Sequence, residues 1–195
     1  MTTLTIKESE ALLLLFKDIS QHYNSNSISK QLNMSRVGAM KLLKRLLKLN
    51  IVNSQKIGKS TVYKPNLGDE YVRNLIVFLL ADEAHHFKRW TEEFKELFNG
   101  DRIILLFGST LKNYASANDI DIMIVTKKED TKAEKIIKEK QNLLPKKIHT
   151  ITLTAKELYE NIKNKNQATM EIIKNAVVLY GQNKYLEILK NVTDF

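Results

Sequence analysis

Leu105–Val125 reads LLFGSTLKNYASANDIDIMIV, the most informative stretch of this 195-residue chain. One apolar run ends abruptly at Gly108–Ser109, and nine residues later a second run begins with Asp119-Ile120-Asp121. Short continuous apolar runs bounded by turn residues are typical of strands buried in a sheet. The stretch therefore predicts two buried strands, a glycine–serine turn after the first, and two carboxylates at the start of the second.

Asp119 and Asp121 alternate along the second strand, so their side chains are predicted to leave the same face, roughly 6.6–6.8 Å apart. Two carboxylates beside an apolar sheet repel each other and are poorly solvated unless a cation neutralises them. Carboxylate oxygens suit Mg²⁺, which keeps positions open for water and substrate phosphates. The pair is therefore a predicted metal site.

Gly108 and Ser109 provide a predicted phosphate site. Glycine lets the backbone approach a ligand closely, and the backbone N–H groups of such a turn, with the serine hydroxyl, can hold phosphate oxygens. Together with the two aspartates, this turn could bind a nucleoside triphosphate with its metal.

The order strand, Gly-Ser, loop, Asp-x-Asp, strand resembles the nucleotidyltransferase superfamily that includes DNA polymerase β, above all its minimal archaeal and bacterial members. The resemblance implies an α+β domain with a mixed β-sheet flanked by helices. It implies that Gly108 and Ser109 grip the triphosphate of ATP or another NTP. It also implies that Asp119 and Asp121 are catalytic and hold two magnesium ions. The implied reaction is in-line attack of a hydroxyl on the α-phosphorus, which transfers a nucleoside monophosphate.

A third carboxylate, which active members of this superfamily usually carry on a later strand, is missing from the matching strand here. That strand is predicted at Ile148–Thr154, where His149 and the threonines are the only polar residues. Glu157 follows it. Either Glu157 or a partner's side chain completes the site, or the site binds nucleotide and metal with little or no turnover.

Charge is concentrated at the beginning of the chain. The net charge is +9, and residues 1–67 contain eleven cationic and three acidic residues, a net +8 that leaves +1 for the other 128 residues. A cationic segment attached to a nearly neutral body is typical of a polyanion-binding module.

Residues 1–67 predict three helices. The first covers residues 7–20, with acids in its first turn where they complement the helix dipole. Ser27 is a predicted N-cap for a short helix, and Ser35 is one for a longer helix over residues 36–49. The apolar half of the third helix contains Ala39, Met40, Leu42, Leu43, Leu46, Leu47 and Leu49.

A β-hairpin is predicted after these helices, because two β-prone runs flank Gly58–Lys59. Three helices and a hairpin in this order resemble prokaryotic winged helix-turn-helix domains, in which the last helix enters the DNA major groove and the wing touches the backbone or minor groove. The resemblance implies that Arg36 and Val37 touch base edges. The residues expected to neutralise phosphates are Lys41, Lys44, Lys48, Lys56 and Lys59. The alternative is a dimerisation or protein-docking module.

The sequence predicts a winged helix-turn-helix domain at 1–67, a helical linker at 68–99 and a nucleotidyltransferase domain at 100–195. His85 and His86 in the linker lack the spacing of a known ligand pair and are interpreted as surface or interface residues. A homodimer is compatible with this plan, because winged helices often read two half-sites.

Composition limits the function classes. The chain is 43% apolar and 27% charged with no cysteine, which excludes disulfides and thiolate chemistry. No apolar run approaches the roughly 18 residues of a membrane span, and the N-terminus lacks a secretory pattern. We therefore expect a cytoplasmic protein without a membrane partner.

Three functions remain open. The first is a magnesium-dependent nucleotidyltransferase brought to DNA by its winged helix, with DNA, RNA, a protein or a small molecule as acceptor. The second is a DNA-binding transcriptional regulator whose transferase domain is degenerate and senses nucleotide. The third is an antitoxin-like module that attaches AMP to a partner toxin.

Overall fold

The computed structural model describes residues 3–192 and divides into two compact units between Leu79 and Leu80. The division falls within a long helix, α4 (Glu70–His85). No helix within residues 3–192 has the length and apolar character needed to cross a membrane.

The first unit contains the predicted succession of helices and a hairpin. Its elements before α4 are α1 (Ile6–Lys17), α2 (Ser25–Gln31), α3 (Arg36–Lys48), β1 (Val52–Ile57) and β2 (Ser60–Pro65). The two strands pair antiparallel, and Gly58 makes the turn between them at φ 57°. Ser35 caps α3, because its hydroxyl accepts the backbone N–H of Gly38 at 3.0 Å.

Two helix boundaries differ from the prediction. Asn24, not Ser27, caps α2, because the Asn24 side-chain oxygen accepts the N–H groups of Asn26 and Ser27 at 2.9 and 3.0 Å. The first helix ends at Lys17, because the carboxylate of Asp18 accepts the backbone N–H of Ser20 at 3.3 Å and forms a turn.

The apolar face of α3 is narrower than predicted. The residues buried on it are Ala39, Leu42, Leu43 and Leu46. Met40 and Leu47 lie at the borders of this stripe and remain 40% and 39% exposed. The three-to-four residue spacing of the buried set directs one stripe of the helix into the core, and residues beside that stripe stay at the surface.

The second unit contains a four-stranded sheet surrounded by helices. Its elements after α4 are α5 (Lys88–Glu93), β3 (Ile103–Phe107), β4 (Asp119–Val125), α6 (Thr131–Leu143), β5 (Lys147–Leu153), α7 (Ala155–Lys163), α8 (Gln167–Asn175), β6 (Val177–Tyr180) and α9 (Gln182–Val192). Single 3₁₀ turns cover Lys95–Leu97 and Ser109–Leu111.

The sheet has the strand order β5-β4-β3-β6. The inner strand β3 is antiparallel to its neighbours β4 and β6, whereas the other inner strand, β4, is parallel to β5. The parallel pair requires a crossover connection, which α6 supplies. The predicted mixed sheet flanked by helices, within an α+β protein, is confirmed.

The core of the second unit fixes which face of β4 carries the aspartates. Ile120, Ile122 and Ile124 are buried in a cluster that includes Trp90 and Phe94. Because side chains alternate along a strand, Asp119 and Asp121 project from the opposite face.

A buried ion pair connects the residue before β3 with the segment after β4. Arg102 donates from Nε and Nη2 to the two carboxylate oxygens of Asp130 at 2.6 and 2.8 Å, and the two side chains are only 5% and 7% exposed. Thr126 Oγ1 and the Ala133 N–H also donate to this carboxylate, at 2.6 and 3.1 Å. The Arg102 guanidinium, supported by these donors against the effect of burial, holds the pKa of Asp130 well below its usual range.

We expect Asp130→Ala to lower the free energy of unfolding by about 3–5 kcal/mol, because it leaves the Arg102 charge buried without its partner. The pKa of Asp130 is lower in the folded chain than in the unfolded chain, where it is about 3.9. The stabilisation by this carboxylate is therefore fully present above about pH 3.9 and declines as the pH falls below that value. Urea unfolding of the unmodified chain and of Asp130→Ala between pH 7 and pH 3 measures this difference in the free energy of unfolding. Asp101→Ala is the control, since Asp101 pairs with Lys184 at the surface. Equal stability of Asp130→Ala and Asp101→Ala at pH 7 would contradict the assignment.

Candidate active site

Gly108 stands directly against the carboxylate of Asp121. Its φ of 78° lies in the left-handed region, and a Cβ built on it would lie 2.1 Å from Asp121 Oδ2. The contact follows from the strand register, which pairs Phe107 with Asp121. Only glycine fits at this position. The close approach brings the predicted phosphate turn and the predicted metal pair together.

The turn after Gly108 is joined to the first residue of β4. Ser109 begins the short 3₁₀ turn and is exposed, as is Gly108, so both are accessible to a ligand. The buried hydroxyl of Thr110 donates to the backbone carbonyl of Asp119 at 2.7 Å. Sequence reasoning missed this positioning role of Thr110, although the residue lies inside the motif.

Asp119, Asp121 and His149 form one cluster. The parallel register of β4 and β5 places His149 opposite Asp121. His149 Nδ1 lies 3.0 Å from Asp119 Oδ2 and 3.7 Å from Asp121 Oδ1. The two carboxylates are 28% and 22% exposed and the imidazole is 47% exposed, so the cluster is open to solvent on one side.

The electrostatics of the cluster favour a bound cation. Burial raises the pKa of Asp121, the Asp119 carboxylate raises it further, and His149 partly opposes both effects. A divalent cation between the two carboxylates would offset both the repulsion and the loss of hydration.

The donor set fits a divalent metal ion. One ligand atom from each of Asp119, Asp121 and His149 lies within 4.8 Å of the others. Within residues 3–192, this is the one group of three or more histidine or acidic side chains so arranged.

His85 and His86 are not part of this group. Both are exposed, and His86 Nδ1 contacts the backbone carbonyl of Asp82 at 2.8 Å.

Glu157 does not supply the third carboxylate. Its side chain accepts the N–H and hydroxyl of Thr154 at 2.7 and 2.9 Å and caps α7. Thr154 follows the end of β5, whereas His149 lies near the beginning of that strand. The alternative in which Glu157 completes the site is therefore wrong, because β5 carries the chain away from the aspartates before Glu157 is reached.

Lys146 holds the loop that connects the phosphate turn with β4. Its Nζ donates to the backbone carbonyls of Tyr114, Ala115 and Ala117, and lies 4.4 Å from the centre of the Tyr114 ring. Arg89 covers the same ring at 3.9 Å. Lys146 immediately precedes β5, so these contacts connect the loop to the strand that carries His149. No sequence motif indicated this role.

The candidate DNA-binding residues lie on the surface of the first unit. Those on α3 are Arg36, Val37, Lys41, Lys44 and Lys48, all exposed, and Lys56 and Lys59 are exposed on the hairpin. The spacing from Val37 to Lys48 places four of the α3 residues on one face. Arg45 lies outside this set, because its guanidinium forms an ion pair with the buried carboxylate of Glu8 in α1.

Residues 88–179 match the family model of the nucleotidyltransferase domain. The match begins at α5, ends in β6 and contains Gly108, Ser109, both aspartates and His149. It supports the assignment of this part of the chain to the nucleotidyltransferase superfamily. No curated protein matches the chain.

Solved structures of two bacterial proteins resemble parts of the chain. The adhesin competence repressor AdcR from Streptococcus pyogenes is 16% identical over 58% of this chain and 75% of its own, with a TM-score of 0.39. A point mutant of ZitR from Lactococcus lactis is 19% identical over 49% and 61%, with a TM-score of 0.35. Another ZitR mutant, in complex with DNA, is 20% identical over 58% and 69%, also with a TM-score of 0.35. At these scores the similarities carry no conclusion about fold or function.

We expect Gly108→Ala to abolish binding of a metal–nucleotide complex, because the new Cβ would lie 2.1 Å from Asp121 Oδ2 and displace that carboxylate. It should also lower the free energy of unfolding by more than about 1 kcal/mol, since alanine is strained at positive φ. Titration with a fluorescent ATP analogue and Mn²⁺, together with urea unfolding, measures both effects. Gly100→Ala is the matched control, because a Cβ there meets nothing within 4 Å. Nucleotide binding by Gly108→Ala equal to that of Gly100→Ala would disprove the close approach.

Proposed function

We propose that this protein is a metal-dependent nucleotidyltransferase that transfers a nucleoside monophosphate from an NTP to a hydroxyl acceptor. One observation carries the proposal: the Gly108 turn and the Asp119–Asp121 pair meet at a solvent-accessible place where β3 ends and β4 begins. A phosphate site and a divalent-metal site in contact are what an NTP–metal complex requires. The match of residues 88–179 to the nucleotidyltransferase family model also supports it.

The residues of the site divide the work between phosphate and metal. The backbone of Gly108 and Ser109, with the Ser109 hydroxyl, binds and orients the triphosphate oxygens. The carboxylates of Asp119 and Asp121 hold the divalent ions, two Mg²⁺ in the proposed active form. When bound, such ions stabilise the charge of the transferred phosphoryl group and of the leaving pyrophosphate.

The reaction is a displacement at the α-phosphorus. The acceptor hydroxyl oxygen forms a bond to that phosphorus as the bond to the pyrophosphate oxygen breaks, with the two oxygens in line. Pyrophosphate leaves, and the hydroxyl proton passes to water. The chain contributes position: the Thr110 bond to the Asp119 carbonyl fixes the phosphate turn relative to the metal ligands. Positioning of this kind supplies much of the catalysis in phosphoryl transfer.

The proposed domain plan assigns residues 1–67 to a winged helix-turn-helix, 68–99 to a helical linker and 100–195 to the transferase domain. The order α1, α2, α3, β1, β2 and the exposed cationic side chains of α3 and the hairpin support this plan. In it, Arg36 and Val37 contact base edges, and the lysines of α3 and the hairpin contact DNA phosphates. We place the protein in the cytoplasm.

A second function is favoured by His149. Because a histidine stands where the superfamily usually has its third carboxylate, the domain could bind nucleotide without efficient transfer and act as the sensor of a DNA-binding regulator. Tight NTP binding with no transfer, together with sequence-specific DNA binding, would identify this function.

The test for transfer uses NTPs labelled at the α-phosphate, with Mg²⁺ or Mn²⁺ and with DNA, tRNA or host lysate as acceptor. We expect label on one acceptor class. Asp121→Asn should reduce the transfer at least ~100-fold, because the metal contributes several kcal/mol of charge stabilisation. Asp101→Asn, which changes an exposed aspartate outside the site, should transfer normally. Detectable NTP binding without transfer by the unmodified chain would overturn the enzyme proposal in favour of the regulator.

The test for DNA binding uses the double variant Lys41→Ala/Lys44→Ala. Each lysine is expected to contact one phosphate, so the slope of log affinity against log salt should fall by about two units. Lys135→Ala/Lys138→Ala removes two cations with the same spacing from α6 and should leave the slope unchanged. If Lys135→Ala/Lys138→Ala lowers the salt dependence of DNA binding and Lys41→Ala/Lys44→Ala does not, the nucleic-acid site lies in the second unit.

A further inference from the structure

His149 is built into the metal site by backbone pairing. Asp121 and His149 are register partners in the parallel ladder of β4 and β5, so their side chains leave the same face of the sheet. The 3.0 Å distance from His149 Nδ1 to Asp119 Oδ2 and the 3.7 Å distance to Asp121 Oδ1 bring the imidazole to both carboxylates. A side chain in this place is within reach of an ion bound between the two aspartates, to which it can offer a nitrogen ligand.

A nitrogen donor changes which ions suit the site. Mg²⁺ prefers oxygen ligands and usually binds through one or two carboxylates, waters and substrate phosphates. Imidazole suits zinc, iron, nickel and copper, and affinities of nitrogen-containing sites rise along the first transition series from Mn²⁺ towards Cu²⁺. A set of two carboxylates and one imidazole therefore favours a transition-metal ion over Mg²⁺.

We propose that Asp119, Asp121 and His149 bind a divalent first-row transition-metal ion in preference to Mg²⁺. The inference rests on the proposed function for the role of the site, and the binding itself needs no nucleotide. An Mg²⁺ ion that is bound chiefly by NTP phosphates is compatible with it. His149 is a ligand in this assignment, not only a hydrogen-bond partner of the aspartates.

The first experiment measures binding of Zn²⁺, Mn²⁺ and Mg²⁺, each alone, to the full chain by isothermal titration calorimetry without nucleotide. The unmodified chain should bind Zn²⁺ and Mn²⁺ more tightly than Mg²⁺. Removing the hydrogen-bond partner of a metal ligand typically lowers metal affinity roughly 10- to 100-fold. His149→Ala removes a proposed ligand itself, so it should lower the Zn²⁺ affinity by at least that factor. His149→Asp should shift the preference towards Mg²⁺. His85→Ala, which removes an exposed histidine outside the cluster, should bind all three ions normally.

The second experiment reads the imidazole directly. In long-range ¹H–¹⁵N spectra, Zn²⁺ should change the ¹⁵N chemical shift of one ring nitrogen of His149. The ring-nitrogen shifts of His85 should stay unchanged. An unshifted His149, or a Zn²⁺-to-Mg²⁺ affinity ratio that His149→Ala leaves unaltered, would overturn the assignment. Because His149 is half-exposed, these variants are expected to fold, and thermal unfolding checks it.

The outcomes separate this inference from the proposed function. Zn²⁺ binding that depends on His149, without label transfer with any metal, would refute the transferase and leave the metal assignment standing. Label transfer by a chain whose metal preference is independent of His149 would refute the metal assignment alone.

Discussion

The approach of the Asp121 carboxylate to the backbone of Gly108 is the constraint on which the site depends. No side chain fits between them, so the end of β3 and the beginning of β4 must meet at a glycine. Main-chain pairing of Phe107 with Asp121 sets this distance, and the Thr110 hydroxyl bonded to the Asp119 carbonyl maintains it. The predicted phosphate turn and the carboxylate pair, separated by nine residues in the sequence, are thereby brought together.

The strand that carries the aspartates is fixed at both ends. At its beginning, the Thr110 bond and the Lys146 contacts hold the preceding loop. At its end, Thr126 and Arg102 both donate to the buried carboxylate of Asp130, which also caps α6. Because α6 returns the chain to β5 in parallel register, the same arrangement determines where His149 lies. A site of this kind needs such support, since ligand atoms must be held within fractions of an ångström.

The first unit separates its charges according to their environment. Arg45 pairs with the buried carboxylate of Glu8, where the ion pair links α1 to α3. The lysines on the solvent face of α3 are exposed. One helix therefore contributes a cation to the fold and several cations to the surface, and the difference arises from which face of the helix each residue occupies.

The sequence by itself determined the features that depend on neighbouring residues. These are the apolar runs that became β3 and β4, the glycine turn, the shared face of the two aspartates and the order of helices and hairpin in the first unit. Alternation and helical periodicity are local properties, so they are readable without a structure. The tertiary structure alone decided the long-range contacts: His149 lies beside Asp119 and Asp121. Lys146 holds the loop before β4, and Asp130 pairs with Arg102. These contacts join residues 28 or more positions apart. Strand register and the path of the crossover helix bring such residues together, and no local pattern in the sequence encodes either of them.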